Sequence, residues 1–114
     1  MLLKKKFEKT SWGRRIMFSG NNSDIRFALY YYNDDPETLY LANLFVDEKL
    51  RKNGLGNEII NYVFDYAKTN HYRSIILNVV KDSWVQKWYE RKGFQYIEDC
   101  KDEYVGNVWM IKDI

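Results

Sequence analysis

At 114 residues the chain has room for one domain around one core, here residues 1–114, and ten Tyr, six Phe and four Trp give that core large apolar area. One cysteine, Cys100, and one histidine, His71, exclude an internal disulfide, a multi-cysteine metal site and a histidine cluster, so no metal is expected. The net charge of +2 is too small to imply a nucleic-acid partner by itself, and with no apolar run of membrane-spanning length and no apolar stretch behind Lys4-Lys5-Lys6, a soluble, cytoplasmic protein is expected.

In chain order, Leu2 to Glu8 and Arg14 to Ser19 read as short strands, followed by a turn at Gly20-Asn21-Asn22-Ser23. Ile25 to Tyr32 is aromatic and β-prone, and Asn33-Asp34-Asp35-Pro36 makes a strong turn before a strand over Thr38 to Val46. The period then changes. Leu55, Ile59, Ile60, Val63, Phe64 and Ala67 recur at helical spacing, predicting a helix from about Gly54 to Asn70, a residue that tolerates a left-handed cap. Ser74 to Val80 is nearly all apolar, as expected of a strand buried on both faces. Asp82 or Ser83 can cap a second helix carrying Val85, Trp88 and Tyr89 on one face and ending at Lys92-Gly93. Phe94 to Glu98 and Val105 to Ile111 close the chain as a hairpin. The expected class is α+β: a mixed, mostly antiparallel sheet with a helix on each side and a central βαβ unit.

The chemistry concentrates where the strand ending at Val46 meets the long helix. Arg51-Lys52-Asn53-Gly54-Leu55-Gly56 opens that helix. Glycines let a backbone approach an anion, the first-turn N–H groups and helix dipole favour negative charge, and Arg51 and Lys52 add cations. A phosphate site follows from physics alone, although short glycine motifs are weak evidence and this one lacks both the Lys-Ser/Thr of a P-loop and the third glycine of a dinucleotide loop.

Leu44 through Gly56 resembles the acetyl-CoA motif of the GNAT N-acetyltransferase superfamily, an apolar strand end, a short turn and Arg/Gln-x-x-Gly-x-Gly/Ala at a helix start. Trp88-Tyr89-Glu90-Arg91-Lys92-Gly93-Phe94 is similar to that family's second motif, Leu-Tyr-Glu-Lys-x-Gly-Phe. The resemblance implies that Leu44, Phe45 and Val46 line the pantetheine arm of acetyl-CoA, and that Arg51, Lys52, Asn53, Gly54, Leu55, Gly56 and Asn57 hold its pyrophosphate. Tyr89 falls where the family has the tyrosine that protonates the departing thiolate, which a phenol that stays protonated at neutral pH can do. Asp82 stands where the family usually has an Asn that holds pantetheine, and Val85 where Ala is common. The family's two helices between its first two strands have no room in Lys9 to Gly13, so the acceptor site is expected to be open, or closed by another chain as in a homodimer.

The strand before the phosphate loop carries no carboxylate; Asn43 sits near the family's usual base, and no base is nominated. Without a base, an α-amine, costing about 1 kcal/mol to deprotonate at neutral pH, is an easier acceptor than a lysine at about 4.6 kcal/mol. Tyr30-Tyr31-Tyr32 should leave at least one ring exposed, where beside Trp12 it could help bind an acceptor; His71 is expected at the surface. The sequence thus predicts an acetyl-CoA-dependent N-acetyltransferase acting on a primary amine, with a protein or peptide among the candidate acceptors and a non-catalytic CoA-binding module as the alternative.

Overall fold

The computed structural model describes residues 3–20, 24–47, 54–97 and 106–114. The elements run β1 (Lys4–Lys9), β2 (Gly13–Ser19), β3 (Ile25–Tyr32), β4 (Asp35–Val46), α1 (Leu55–Thr69), β5 (Ser74–Val80), α2 (Trp84–Arg91), β6 (Gln95–Tyr96) and β7 (Asn107–Asp113). They form one seven-stranded sheet in the order β1-β2-β3-β4-β5-β7-β6. Every neighbouring pair is antiparallel except β4 and β5, which flank α1 as a βαβ unit. The turn before β4 is tighter than expected: Tyr32 pairs with Asp35, and Pro36 lies inside the strand near its start, where a missing N–H is tolerated. In the closing hairpin β6 is shorter than predicted, while β7 keeps the predicted length but lies two residues later, and the connection between them lies outside the described residues.

Cross-strand register places Ile16, Leu29, Leu41 and Phe18, Phe27 on one face, and the same parity carries Leu39, Ile75, Leu77, Val79, Val108 and Met110 there. All are buried, together with Ile59, Ile60, Val63 and Ala67 of α1 and Tyr89 of α2. Truncating a fully buried Ile or Leu of this kind to Ala costs about 2–5 kcal/mol.

The expected helix on each side of the sheet is corrected by this packing: α1 and α2 share one face. Gly56 of α1 lies against Trp88 of α2, and Phe64 of α1 packs on Phe94 just beyond α2, with ring centroids 6.1 Å apart. The physical reason is chirality. The chain crosses from β4 to β5 and then onward to β6 in the same direction along the sheet, and two right-handed crossovers in one direction put both helices on one side.

The other face of the sheet has no helix on it among the described residues. It carries Arg15, Met17, Tyr30, Tyr32, Tyr40, Ile76, Trp109 and Ile111, each half-buried. Hence β5 is not buried on both faces as its apolar run suggested: Ile75, Leu77 and Val79 are buried, Ile76 and Asn78 are half-buried, and Val80 is exposed. The three-tyrosine run partly fills this face: Tyr30 and Tyr32 flank Trp12 at ring distances of 6.1 and 5.1 Å. The left-handed residue after α1 is also not Asn70 but His71, exposed and at φ 63°, while Asn70 donates its side-chain N–H to the Tyr66 carbonyl at 2.8 Å.

Candidate active site

The site begins with a defect in a strand. Ala28 of β3 faces Ala42, but Arg26, two residues earlier, faces Phe45, three residues later, so β4 carries one extra residue. Asn43 takes up that residue at φ 57°, a left-handed conformation that Asn adopts more readily than most side chains. A bulge bends its strand. Beyond it β4 leaves β5, and the two parallel strands pair only at Thr38–Ser74, Leu39–Ile75 and Tyr40–Ile76. The diverging ends open a groove lined by Leu44, Phe45, Val46, Gly56, Trp84, Val85, Trp88 and Tyr89. At about 210 Å³ it is below the range usual for a pocket that buries a drug-sized ligand, and suits a thin flexible chain better than a heterocycle.

At one end of the groove stands the N-terminus of α1. Gly54 precedes it at φ 75°, where a side chain would be strained, and no side chain among the described residues caps the helix. The first helical bond runs from the Glu58 N–H to the Gly54 carbonyl at 3.1 Å. The N–H groups of Leu55, Gly56 and Asn57 therefore have no acceptor within the helix, and the positive end of the helix dipole adds to them, offset in part by the Glu58 carboxylate. In α2 the corresponding position is closed by its own sequence, because the Ser83 hydroxyl accepts from the Gln86 N–H at 3.2 Å. One helix start is thus sealed by a side chain, and the other has no such cap among the described residues. The two glycines serve different ends: Gly54 supplies the backbone turn, with open space around it, whereas a Cβ on Gly56 would sit 3.3 Å from Trp88 Cζ2 in the groove wall.

Tyr89 lines the groove from below. Its ring packs edge-on against Trp88 and Phe94 at 5.0 and 5.4 Å, and only 4% of its surface is exposed. Burial pushes its phenol well above the ordinary value near 10, so it holds its proton throughout the neutral range.

The structure thus brings Leu44, Phe45, Val46, Gly56 and Tyr89 into one lining, with Gly54, Leu55 and Asn57 at the adjoining helix start. Arg51, Lys52 and Asn53 lie outside the described residues, as does Cys100. Asp82 is not in the lining: its side chain is exposed, it sits at φ 59°, and its N–H donates to Gln86 Oε1 at 2.6 Å, leaving Ser83 to cap α2. Trp84 and Trp88, which wall the groove, were assigned no role by sequence reasoning. The signal was present in their spacing of four on a helix with Val85 between them.

An acetyltransferase (GNAT) family model matches residues 7–94. The chain belongs to the GNAT family. Its fold is similar to that of a GNAT acetyltransferase from Staphylococcus aureus, at TM-score 0.69 and 20% identity, over 90% of this chain and 68% of that one. A GNAT acetyltransferase from Elizabethkingia anophelis with acetyl-CoA bound aligns at TM-score 0.65 and 21% identity, over 91% of this chain and 78% of that one. A Bacillus subtilis acetyltransferase in complex with CoA aligns at TM-score 0.66 and 16% identity, over 99% of both chains. At these identities the likeness is one of fold. Among curated proteins, serine-repeat antigen protein 6 of Plasmodium falciparum is 30% identical over 108 residues, matching 85% of this chain; the chain spans about a tenth of that protein's length.

Proposed function

We propose that the chain is an acetyl-CoA-dependent N-acetyltransferase that acts on a primary amine, presented at the open face of the sheet by a protein or peptide. The observation that carries this reading is the groove between the diverging ends of β4 and β5, which joins an uncapped helix N-terminus to a buried, protonated tyrosine.

In this reading the N–H groups of Leu55, Gly56 and Asn57, with Arg51, Lys52 and Asn53, hold the pyrophosphate of acetyl-CoA. Leu44, Phe45 and Val46 on one side and Trp84, Val85 and Trp88 on the other hold its pantetheine arm. Asp82 is given no part, since it stands outside the groove. The acceptor nitrogen, in its neutral form, attacks the thioester carbonyl. A C–N bond forms, the C–S bond breaks, the nitrogen gives up one proton to water, and the sulfur takes one. Tyr89 donates a hydrogen bond to that sulfur. Full transfer of its proton to a thiolate of pKa near 8.5 is uphill by about 2 kcal/mol even for an unperturbed phenol, so stabilising the leaving group is its main role. Bringing amine and thioester together supplies the rest.

A second reading, a CoA-binding module without turnover, is favoured by one observation: no carboxylate or imidazole lines the groove, so no general base is at hand among the described residues. Incubating the purified protein with labelled acetyl-CoA and a lysate, then locating label by mass spectrometry, separates the two. Labelled amines support the enzyme; tight acetyl-CoA binding with no labelled amine leaves the module; absence of both sinks each reading.

A further inference from the structure

A second, broader depression of about 750 Å³ lies across the end of β4 from the first groove and shares Leu44 and Phe45 with it. Its floor includes Met17, Asn43 and Phe45, and its charged side chains are Lys4, Lys5, Lys6 and Arg26, with no carboxylate among them. Register fixes how these cations are disposed. Lys4 pairs with Ser19 and Ser19 with Arg26, so Lys4 and Arg26 stand two strands apart on the open face, about 10 Å from each other. Lys6 is two residues along from Lys4 on the same face, a further ~7 Å. Lys5 points to the helix face, where its ammonium lies 5.9 and 5.8 Å from the ring centres of Phe18 and Tyr62. The Arg26 guanidinium lies 4.8 Å over the Phe45 ring, which fixes a charge beside the residue common to both depressions. None of the four is in an ion pair among the described residues. The next carboxylate along that face of β1, Glu8, is already held by Arg15.

Building on the acetyltransferase reading, we infer that this basic depression receives the acceptor, and that the acceptor is an acidic peptide segment carrying at least two carboxylates near the amine to be acetylated. Three separated cations on an open surface do not enclose a small anion, but they match carboxylates strung along an extended chain, whose residues repeat at a similar spacing. Contact through Leu44 and Phe45 lets such a chain deliver its amine to the end of the first groove. The trough also separates this role from the Trp12, Tyr30 and Tyr32 cluster. Tyr32 is six residues from Arg26 along β3, about 20 Å away at the far end of the sheet.

Two fluorescent peptides with a free α-amine, one followed by three acidic residues and one by three basic residues, are titrated into the full chain with CoA present. The acidic peptide is expected to bind roughly tenfold more tightly near 0.15 M salt, and the difference should shrink to about twofold or less at 1 M, where the screening length falls to ~3 Å. The variant K4E/K6E/R26E should reverse the preference and leave acetyl-CoA affinity, measured by calorimetry, unchanged. All three side chains are exposed, and K4Q/K6Q/R26Q serves if the glutamates disturb folding. Equal binding of the two peptides overturns the inference. So does a variant that weakens acetyl-CoA instead, which would assign the trough to the cofactor's phosphates. A single-stranded oligonucleotide that outcompetes the acidic peptide would overturn it in favour of nucleic acid. Failure of the wild type to bind acetyl-CoA counts against the acetyltransferase reading separately, whatever the peptides do.

Discussion

Tyr89 shows how burial decides what a residue can do. Desolvation with no cationic neighbour raises its phenol, so the group is a durable donor and a poor base. Replacing it with Phe keeps the ring packing on Trp88 and Phe94 and deletes only the donor. Turnover of the Y89F variant is expected to fall about 100-fold with acetyl-CoA affinity unchanged, the usual scale for one acid–base contact. A fall in affinity with turnover intact would make Tyr89 a packing residue. The direction of the shift also fixes the pH dependence. Below pH 10 the phenol is protonated in both folded and unfolded chains, so it adds no pH dependence there. Above pH 10 the unfolded chain loses the proton first, and stability falls by up to about 1.4 kcal/mol per pH unit. Tyr32 and Tyr66, also raised by burial, act in the same sense. Urea unfolding near pH 8 and near pH 10.5 should show a smaller alkaline loss for Y89F than for wild type, and equal losses would contradict the assigned burial. In turnover, the same phenol predicts a rate that climbs with pH as the amine deprotonates, with no descending limb below pH 10.

Among the elements, the one that makes the site is β4, whose extent was legible and whose bulge was not. The helix over Leu55–Thr69 and the strand over Ser74–Val80 announced themselves by a change of period, since apolar spacing reports which face is buried. That spacing says nothing about which side of the sheet a helix takes, so the shared face of α1 and α2 had to come from the direction of the two crossovers. Nor does a single Asn in an apolar run mark a bulge, because the same letters fit a regular strand until the partner's register is known. Of the groove, the strand end, Gly56 and Tyr89 were readable because motifs keep them at fixed offsets, whereas Trp84 and Trp88 depended on α2 lying beside α1. The bulge can be tested directly. Deleting Asn43 removes the one extra residue and leaves Ala42, Leu44, Phe45 and Val46 on their present faces, because the bulge lets two residues oppose one. The strand should then straighten and pair further with β5. The variant is expected to fold with a cooperative thermal transition and to lose acetyl-CoA affinity at least tenfold, a scale set by losing several contacts along the pantetheine arm. Retained affinity would show that the bend is not what opens the groove.

At the scale of the whole molecule, the proposed ligand would touch three elements that otherwise meet little: the end of β4, the start of α1 and the α2 wall. A ligand that binds only the folded state stabilises it by mass action, about 2.7 kcal/mol at a hundred times its dissociation constant. For a domain of this size that corresponds to a rise in Tm of roughly 10 °C, since each kcal/mol moves Tm by about 4 °C. If the N–H groups at the start of α1 and the cations before it hold the pyrophosphate, acetyl-pantetheine, which has the thioester arm but no pyrophosphate, should raise Tm far less at the same concentration. The nucleotide half alone, with its phosphates, should retain a measurable shift. The Gly54→Ala variant probes the start of α1 directly. It forces a side chain into φ 75° where only glycine is relaxed, at a cost of about 1 kcal/mol to the free protein, and it disturbs the helix start that faces the anion. Its Tm without ligand should drop by a few degrees, and the additional rise on adding acetyl-CoA should also be smaller than in wild type. If acetyl-pantetheine matched acetyl-CoA, or if Gly54→Ala lowered Tm while leaving the ligand-induced rise intact, the α1 N-terminus would not be the anion site, and binding would have to be explained by the apolar groove alone.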